Sequence, residues 1–258
     1  MQTILFHSTI FGPIHSRRLG VSLGVNLMPA DGKICSFDCL YCEAGFNAQG
    51  AGKKGLPGRS ETAAQLEAKL ADMKSKGETL DVITFSGNGE PTLHPDFEGV
   101  VDDTIRLRDK YFPDAKISVL TNSTRIGDES VVRALRRVDN NILKLDSAIE
   151  ETMKIIDRPN DPGFTAAGVI QQLKKFEGTG IIQTMFLRGT HDGVNIDNTT
   201  DAEVEALIEA YKEIKPKEVM IYSLDRPTPE RNLRKVEREE LERIATRIRE
   251  AGIEVQPF

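Results

Sequence analysis

The chain of 258 residues has no tryptophan, only three cysteines and four histidines, and no apolar run near the roughly 20 residues a membrane span requires. Each shortage excludes something. No membrane-spanning helix is expected, and no membrane partner. The opening stretch, MQTILFHSTIFGPIHSRR, lacks both a basic start and a small-residue cleavage site, so no signal peptide is expected either. An odd number of cysteines cannot build a closed disulfide framework, and their clustering points to reducing, cytoplasmic surroundings. The histidines (His7, His15, His94 and His191) do not stand at zinc-finger spacing. A net charge of −6 argues against a surface built throughout to coat nucleic acid and leaves room only for a local basic groove.

What is present reads as one folded domain spanning 1–258. Short β-rich runs alternate with amphipathic helical runs: GVSLGVNL (20–27), DVITFSG (81–87), KISVLTN (116–122), NILKLDS (141–147), IIQTMFLRG (181–189) and EVMIYSL (218–224). Most are nearly continuous apolar segments, the pattern of strands covered on both faces in a parallel sheet. Helices are expected over 62–76, where Leu66, Leu70 and Met73 share a face behind a Thr62/Gln65 capping box. Further helices are expected near 96–111, 128–138 and 163–177. Two more follow, one behind the Thr200/Glu203 pair and one carrying Leu241, Ile244, Ala245 and Ile248. Six strand–helix units imply right-handed parallel crossovers in an α/β fold, two units short of a closed eightfold barrel. That leaves an open or partial barrel, or a doubly wound sheet. The glycine-rich segment 43–60 breaks the rhythm and reads as a long mobile loop.

All three cysteines lie in KICSFDCLYCEAG (33–45), at Cys35, Cys39 and Cys42. A closed zinc site would need a fourth ligand that the spacing does not supply. Incidental buried cysteines rarely cluster so tightly. A [4Fe–4S] cluster normally takes four thiolates, so with three from this chain one iron would lack a cysteine.

CSFDCLYC resembles the signature of the radical S-adenosylmethionine (SAM) superfamily, C-x3-C-x-Φ-C, with Tyr41 as the aromatic residue. The resemblance implies a partial (β/α)6 TIM-like barrel with parallel strands. It further implies a [4Fe–4S] cluster held by Cys35, Cys39 and Cys42, SAM chelated at the remaining iron, and an external electron donor such as flavodoxin or ferredoxin. Reductive cleavage of SAM would give a 5′-deoxyadenosyl radical that takes hydrogen from a substrate. FSGNGEPTLHP (85–95) is similar to the superfamily's glycine motif, so Gly87, Asn88, Gly89 and Glu90 would receive the methionine end of SAM, with Asn88 where a glycine is commoner. Tyr41 would border the adenine, Asp146 and Ser147 the ribose, with Asn122 and Arg188 as further strand-end contacts. Segments 11–29 and 222–230 resemble the wyosine-base-synthase-like branch. This would make RNA a possible substrate and Arg17, Arg18 and Arg226 holders of an anionic one. The chain departs from that branch in having no cysteines for a second cluster. A glycyl-radical-enzyme activase and a non-enzymatic electron-transfer iron–sulfur protein are the competing readings.

Overall fold

Continuous apolar strands between amphipathic helices must bury two faces at once, and the computed structural model, which describes residues 4–16 and 19–258, does so around one sheet. Arg17 and Arg18 lie outside the described residues. In chain order the strands and helices are β1 (Ile10–Ser16), β2 (Gly20–Val25), α1 (Arg59–Ser75), β3 (Val82–Phe85), α2 (Phe97–Tyr111), β4 (Lys116–Thr121), α3 (Glu129–Leu135) and β5 (Asn140–Lys144). Then come α4 (Glu150–Asp157), α5 (Ala166–Leu173), β6 (Ile181–His191), β7 (Val194–Asp197), α6 (Asp201–Ile214), β8 (Glu218–Ser223), β9 (Leu233–Lys235), α7 (Arg238–Glu250) and β10 (Val255–Pro257).

The strand order is β1-β2-β3-β4-β5-β6-β8-β10, with every pair from β2 onward parallel and β1 antiparallel on the edge. Six parallel strands each lead into helix, and β10 adds a seventh parallel strand after the last one. The partial barrel expected from the sequence is the fold.

Alternation sorts each strand. Leu23, Val25, Ile83, Phe85, Ile117 and Val119 pack with Leu66, Leu70, Val100 and Leu107 from the helical layer. The opposite parity holds a smaller apolar plug of Ile142, Ile181 and Met220, above which the interior turns polar. Ser22 bonds Thr84 at 2.8 Å and Asn140 bonds Ser118 at 2.9 Å across neighbouring strands.

Two local expectations change. Helix α1 begins at Arg59 behind Gly58, so Thr62 lies in its first turn and donates to the Gly58 carbonyl instead of capping with Gln65. Thr200 does cap α6, but the Glu203 carboxylate turns away to Ser147 Oγ at 2.6 Å. The glycine-rich segment is folded back on the cysteine loop: Lys33 N donates to Gly50 O, and Lys53 N and Lys54 N donate to the Asp31 carboxylate. Among the described residues no helix is long and apolar enough to cross a membrane.

Candidate functional site

Parallel strands deliver their C-terminal ends to one rim, and the loops that follow build whatever site the fold has. Here the loop after β2 carries the cysteines, and it is clamped from two sides. On one side Ile34 pairs with Gly89 beyond β3: Ile34 N donates to Asn88 O at 3.1 Å and Glu90 N to Ile34 O at 3.0 Å. On the other the end of α4 receives it. Asp38 N bonds Asp157 O, Leu40 N bonds Ile156 O, Phe37 pairs with Pro159, and Asn160 Nδ2 donates to Cys35 O. Arg158 adopts a left-handed conformation (φ 48°) at the turn that makes this docking edge.

The three thiols open on one cavity of about 530 Å³, facing Gly87, Gly89 and Glu90 at the end of β3 and Asn122 after β4; Tyr41, Lys144, Met185 and Tyr222 also line it. Asn122 Nδ2 lies 3.6 Å from Cys35 Sγ and 2.9 Å from Ser36 Oγ. Behind the loop, Leu40, Ile156, Met185, Leu187, Ile196 and Leu224 form a separate apolar group that keeps water from that side. Burial pushes the Cys35 thiol up to about 12, with the Glu90 carboxylate adding to it. Burial likewise pushes Cys39 up, the Lys144 ammonium opposing. These thiols therefore stay protonated until a metal replaces the proton. Among the described residues no three Cys, His, Asp or Glu side chains converge on a single ion site. Three thiols lining one cavity suit a cluster with its irons spread among them.

The glycines of the β3 end also have a packing job that the motif does not announce. A Cβ on Gly89 (φ +139°) would stand 1.8 Å from Ile34 O, and one on Gly87 (φ +145°) 2.4 Å from Asn26 Oδ1. They let the cysteine loop and the chain after β2 pass close by, and only then do they face the cavity. Glu90, 2 % exposed, is fully engaged: Oε1 accepts from Thr92 N, Thr92 Oγ1 and Thr121 Oγ1, and Oε2 from Asn122 N. Burial raises its pKa against those bonds.

Asn88 does not line the cavity. Its side chain accepts from Phe6 N (2.8 Å) and donates to Phe6 O (2.9 Å) and Pro29 O (2.8 Å), tying the first described residues to the loop after β2. Replacing Asn88 by Gly should cost roughly 3 kcal/mol, about 1 for each bond, and lower the melting temperature by about 6–12 °C. Calorimetry checks this. An unchanged melting temperature with lost SAM binding would place the side chain at the ligand instead.

Asp146 and Ser147 are also turned into the protein. Asp146 Oδ1 accepts from Met185 N at 2.9 Å, and Ser147 Oγ bonds Glu203 and Ile149 N. Arg188 is not brought to the cavity. The strand expected to stop there continues to His191, and Arg188 is held by Asp197, Thr199 and Glu240 on a ribbon where β7 and β9 flank β6. Arg226 does reach the cavity, paired with Glu43 at 2.6 Å.

Two residues the sequence reading passed over hold the floor. Lys144 Nζ is bonded to Asp157 Oδ1 (2.9 Å), Asp146 Oδ2 and the Tyr41 hydroxyl, and Cys39 Sγ lies 3.7 Å from Asp157 Oδ1. Burial works against the Lys144 charge, but Asp146 and Asp157 outweigh it and hold the ammonium well above the usual lysine range. Burial pushes the Asp157 carboxyl up, Lys144 offsetting part of the effect.

The model of the radical SAM superfamily matches residues 31–209. The UPF0026 protein slr1464 of Synechocystis sp. is 30 % identical over 225 residues, covering 85 % of this chain and 77 % of that protein. The chain spans 32 %, 67 % and 66 % of the first three curated relatives it matches. Among solved structures, a radical SAM methyltransferase from Sphaerobacter thermophilus has a TM-score of 0.63 at 18 % identity, over 92 % of this chain and 65 % of that one. TYW1 with a lysine-pyruvate adduct bound has 0.58 at 12 % identity, over 89 % and 73 %. At these identities the structures establish the fold and do not single out the wyosine branch. The cysteine spacing, the cavity and the family match agree: the chain belongs to the radical SAM superfamily, enzymes that join a [4Fe–4S] cluster to SAM.

Proposed function

We propose that this enzyme uses one [4Fe–4S] cluster, held by Cys35, Cys39 and Cys42, to generate a 5′-deoxyadenosyl radical that abstracts hydrogen from a substrate entering at the barrel rim. The observation that carries the reading is the meeting of three thiols, in a chain with no fourth cysteine, with the β3 strand end across one cavity. When bound, the cluster and SAM supply an electron and a cleavable carbon–sulfur bond. The chain supplies place and dryness. Gly87, Gly89 and Glu90 offer strand-end backbone for the methionine end, the Glu90 carboxylate bracing that turn through Thr92, Thr121 and Asn122, and Tyr41 and Asn122 flank the thiols. Asp146 and Ser147 support that wall from behind: Asp146 fixes Lys144, Tyr41 and Met185, and Ser147 anchors the turn before α4. The apolar group behind Leu40 excludes water from the reacting end. An external flavodoxin or ferredoxin would deliver the electron. Segments 11–29 and 222–230 support a wyosine-like substrate, RNA included, and no second set of cysteines is available for an additional cluster.

Anaerobic reconstitution with iron and sulfide, followed by electron paramagnetic resonance with and without SAM and an assay for 5′-deoxyadenosine, tests the reading. About four irons per chain, a spectrum changed by SAM and 5′-deoxyadenosine are expected. A cluster indifferent to SAM would make the protein an electron carrier, and bound zinc without iron would remove the chemistry.

A further inference from the structure

A second cavity, of about 440 Å³, opens beside the first between the end of β8 and β9, and the two share Leu224, Asp225, Arg226 and Thr228. Its other wall brings Arg231 and Lys235. In a chain of net charge −6, residues 224–235 (LDRPTPERNLRK) hold four cations and two acids. Both acids are engaged: Glu230 accepts His191 Nδ1 at 2.7 Å, and Asp225 faces Lys235 at 3.7 Å. Arg231 is exposed on the cavity wall and has no ion pair among the described residues. Arg226, common to both cavities, is paired with Glu43, directly after Cys42, and both side chains are about half exposed. Exposed pairs of this kind hold weakly, so an incoming anion can take the guanidinium from Glu43.

We propose that this side cavity binds a phosphate group of the substrate through Arg226, Arg231 and Lys235, which would place the remainder of the molecule along the shared wall toward the thiols. Two guanidiniums and an ammonium around one cavity suit a group with three or more oxygens and nearly two charges, whereas a single carboxylate is satisfied by one bidentate arginine. The inference rests on the proposed function for which cavity holds the reacting centre, but phosphate binding does not depend on SAM cleavage.

The test is ³¹P line broadening of uridine monophosphate by the reconstituted enzyme with SAM, against Arg231→Gln and Lys235→Gln. Competition by an unphosphorylated uridine control and by a short oligouridylate completes the set. Each substitution should weaken uridine monophosphate roughly tenfold in Kd, while uridine competes poorly. These are exposed side chains, and their melting temperatures serve as the folding control. If the oligouridylate alone binds, loses affinity in both variants and shows a shallower salt dependence in them, the phosphate is that of RNA, and the proposal stands for a polymer. If neither probe binds, or the variants bind as the wild type does, the proposal is overturned. The 5′-deoxyadenosine assay on the same preparation separates the two readings: SAM cleavage without phosphate binding overturns this inference alone, and phosphate binding without SAM cleavage overturns the proposed function alone.

Discussion

Replacing Cys39 by Ala is expected to leave a folded protein that no longer retains iron after reconstitution, with 5′-deoxyadenosine at the level of a control without enzyme. The chain has three cysteines and no spare, so the variant keeps two thiols for four irons, and the loss is complete and not graded. Cys39 is the most telling of the three. It sits between the two clamps of the loop, where Cys42 N bonds Cys39 O and Leu40 N bonds Ile156 O, and both bonds are made by backbone that alanine preserves. Far-ultraviolet circular dichroism should therefore match the wild type, while iron content and the visible absorption of the cluster vanish. An intact cluster in the variant would overturn the ligand assignment. Zinc binding by the wild type that Cys39→Ala abolishes would keep Cys39 as a ligand and change the metal.

Most of the architecture was legible because parallel strands covered on both faces are nearly continuous apolar runs, and six of them mark the barrel. What escaped lies at the edges. In β1, IFGPIHS pairs on one side only and is largely exposed; β9 and β10 are three residues each. Helix α4 is eight residues long and opens on Glu-Glu-Thr, too brief to show a period, although its end carries the docking edge for the cysteines. The metal ligands were readable because their signal is local spacing. The glycines were readable as glycines, but their packing role was not, since the atom that forbids a side chain on Gly89 belongs to Ile34, 55 positions earlier. Arg188 was misplaced because a strand-end assignment depends on where the strand stops, and β6 runs on into a ribbon that no apolar pattern announces. Lys144 did leave a trace. In NILKLDS, Ile142, Lys144 and Asp146 share a parity opposite to Leu143 and Leu145, so a strand packed outward through its leucines must point a lysine and an aspartate to the interior side.

That inward lysine supports the second large expectation, a loss of about 3–5 kcal/mol in stability for Lys144→Met, seen as a melting temperature lower by about 6–20 °C. Methionine matches the volume, so the loss comes from charge. Asp146 and Asp157 are 1 % and 3 % exposed in their side chains, and without Nζ both carboxylates are buried without their cation. The sign of the pH dependence follows. An orphaned buried carboxyl has a folded pKa above its unfolded one, so the folded state binds more protons. Stability then falls as pH rises through the window between the two values. Asp157 is already pushed up by burial to about 8 with Lys144 in place, and losing the ammonium raises it further, so its share of the deficit should grow as pH rises above about 8, where the wild type keeps a carboxylate that the variant cannot. Adding Asp157→Asn should restore part of the loss above that pH, because it removes a carboxyl that would otherwise ionise without its cation. A double-mutant cycle should then show a coupling of about 1–3 kcal/mol. Purely additive losses, flat with pH, would mean that Lys144 serves the cavity and not the carboxylates. The coupling would instead show that the ammonium is structural: it neutralises the carboxylate that faces Cys39 and holds Tyr41, so that both sit where the cluster loop requires them.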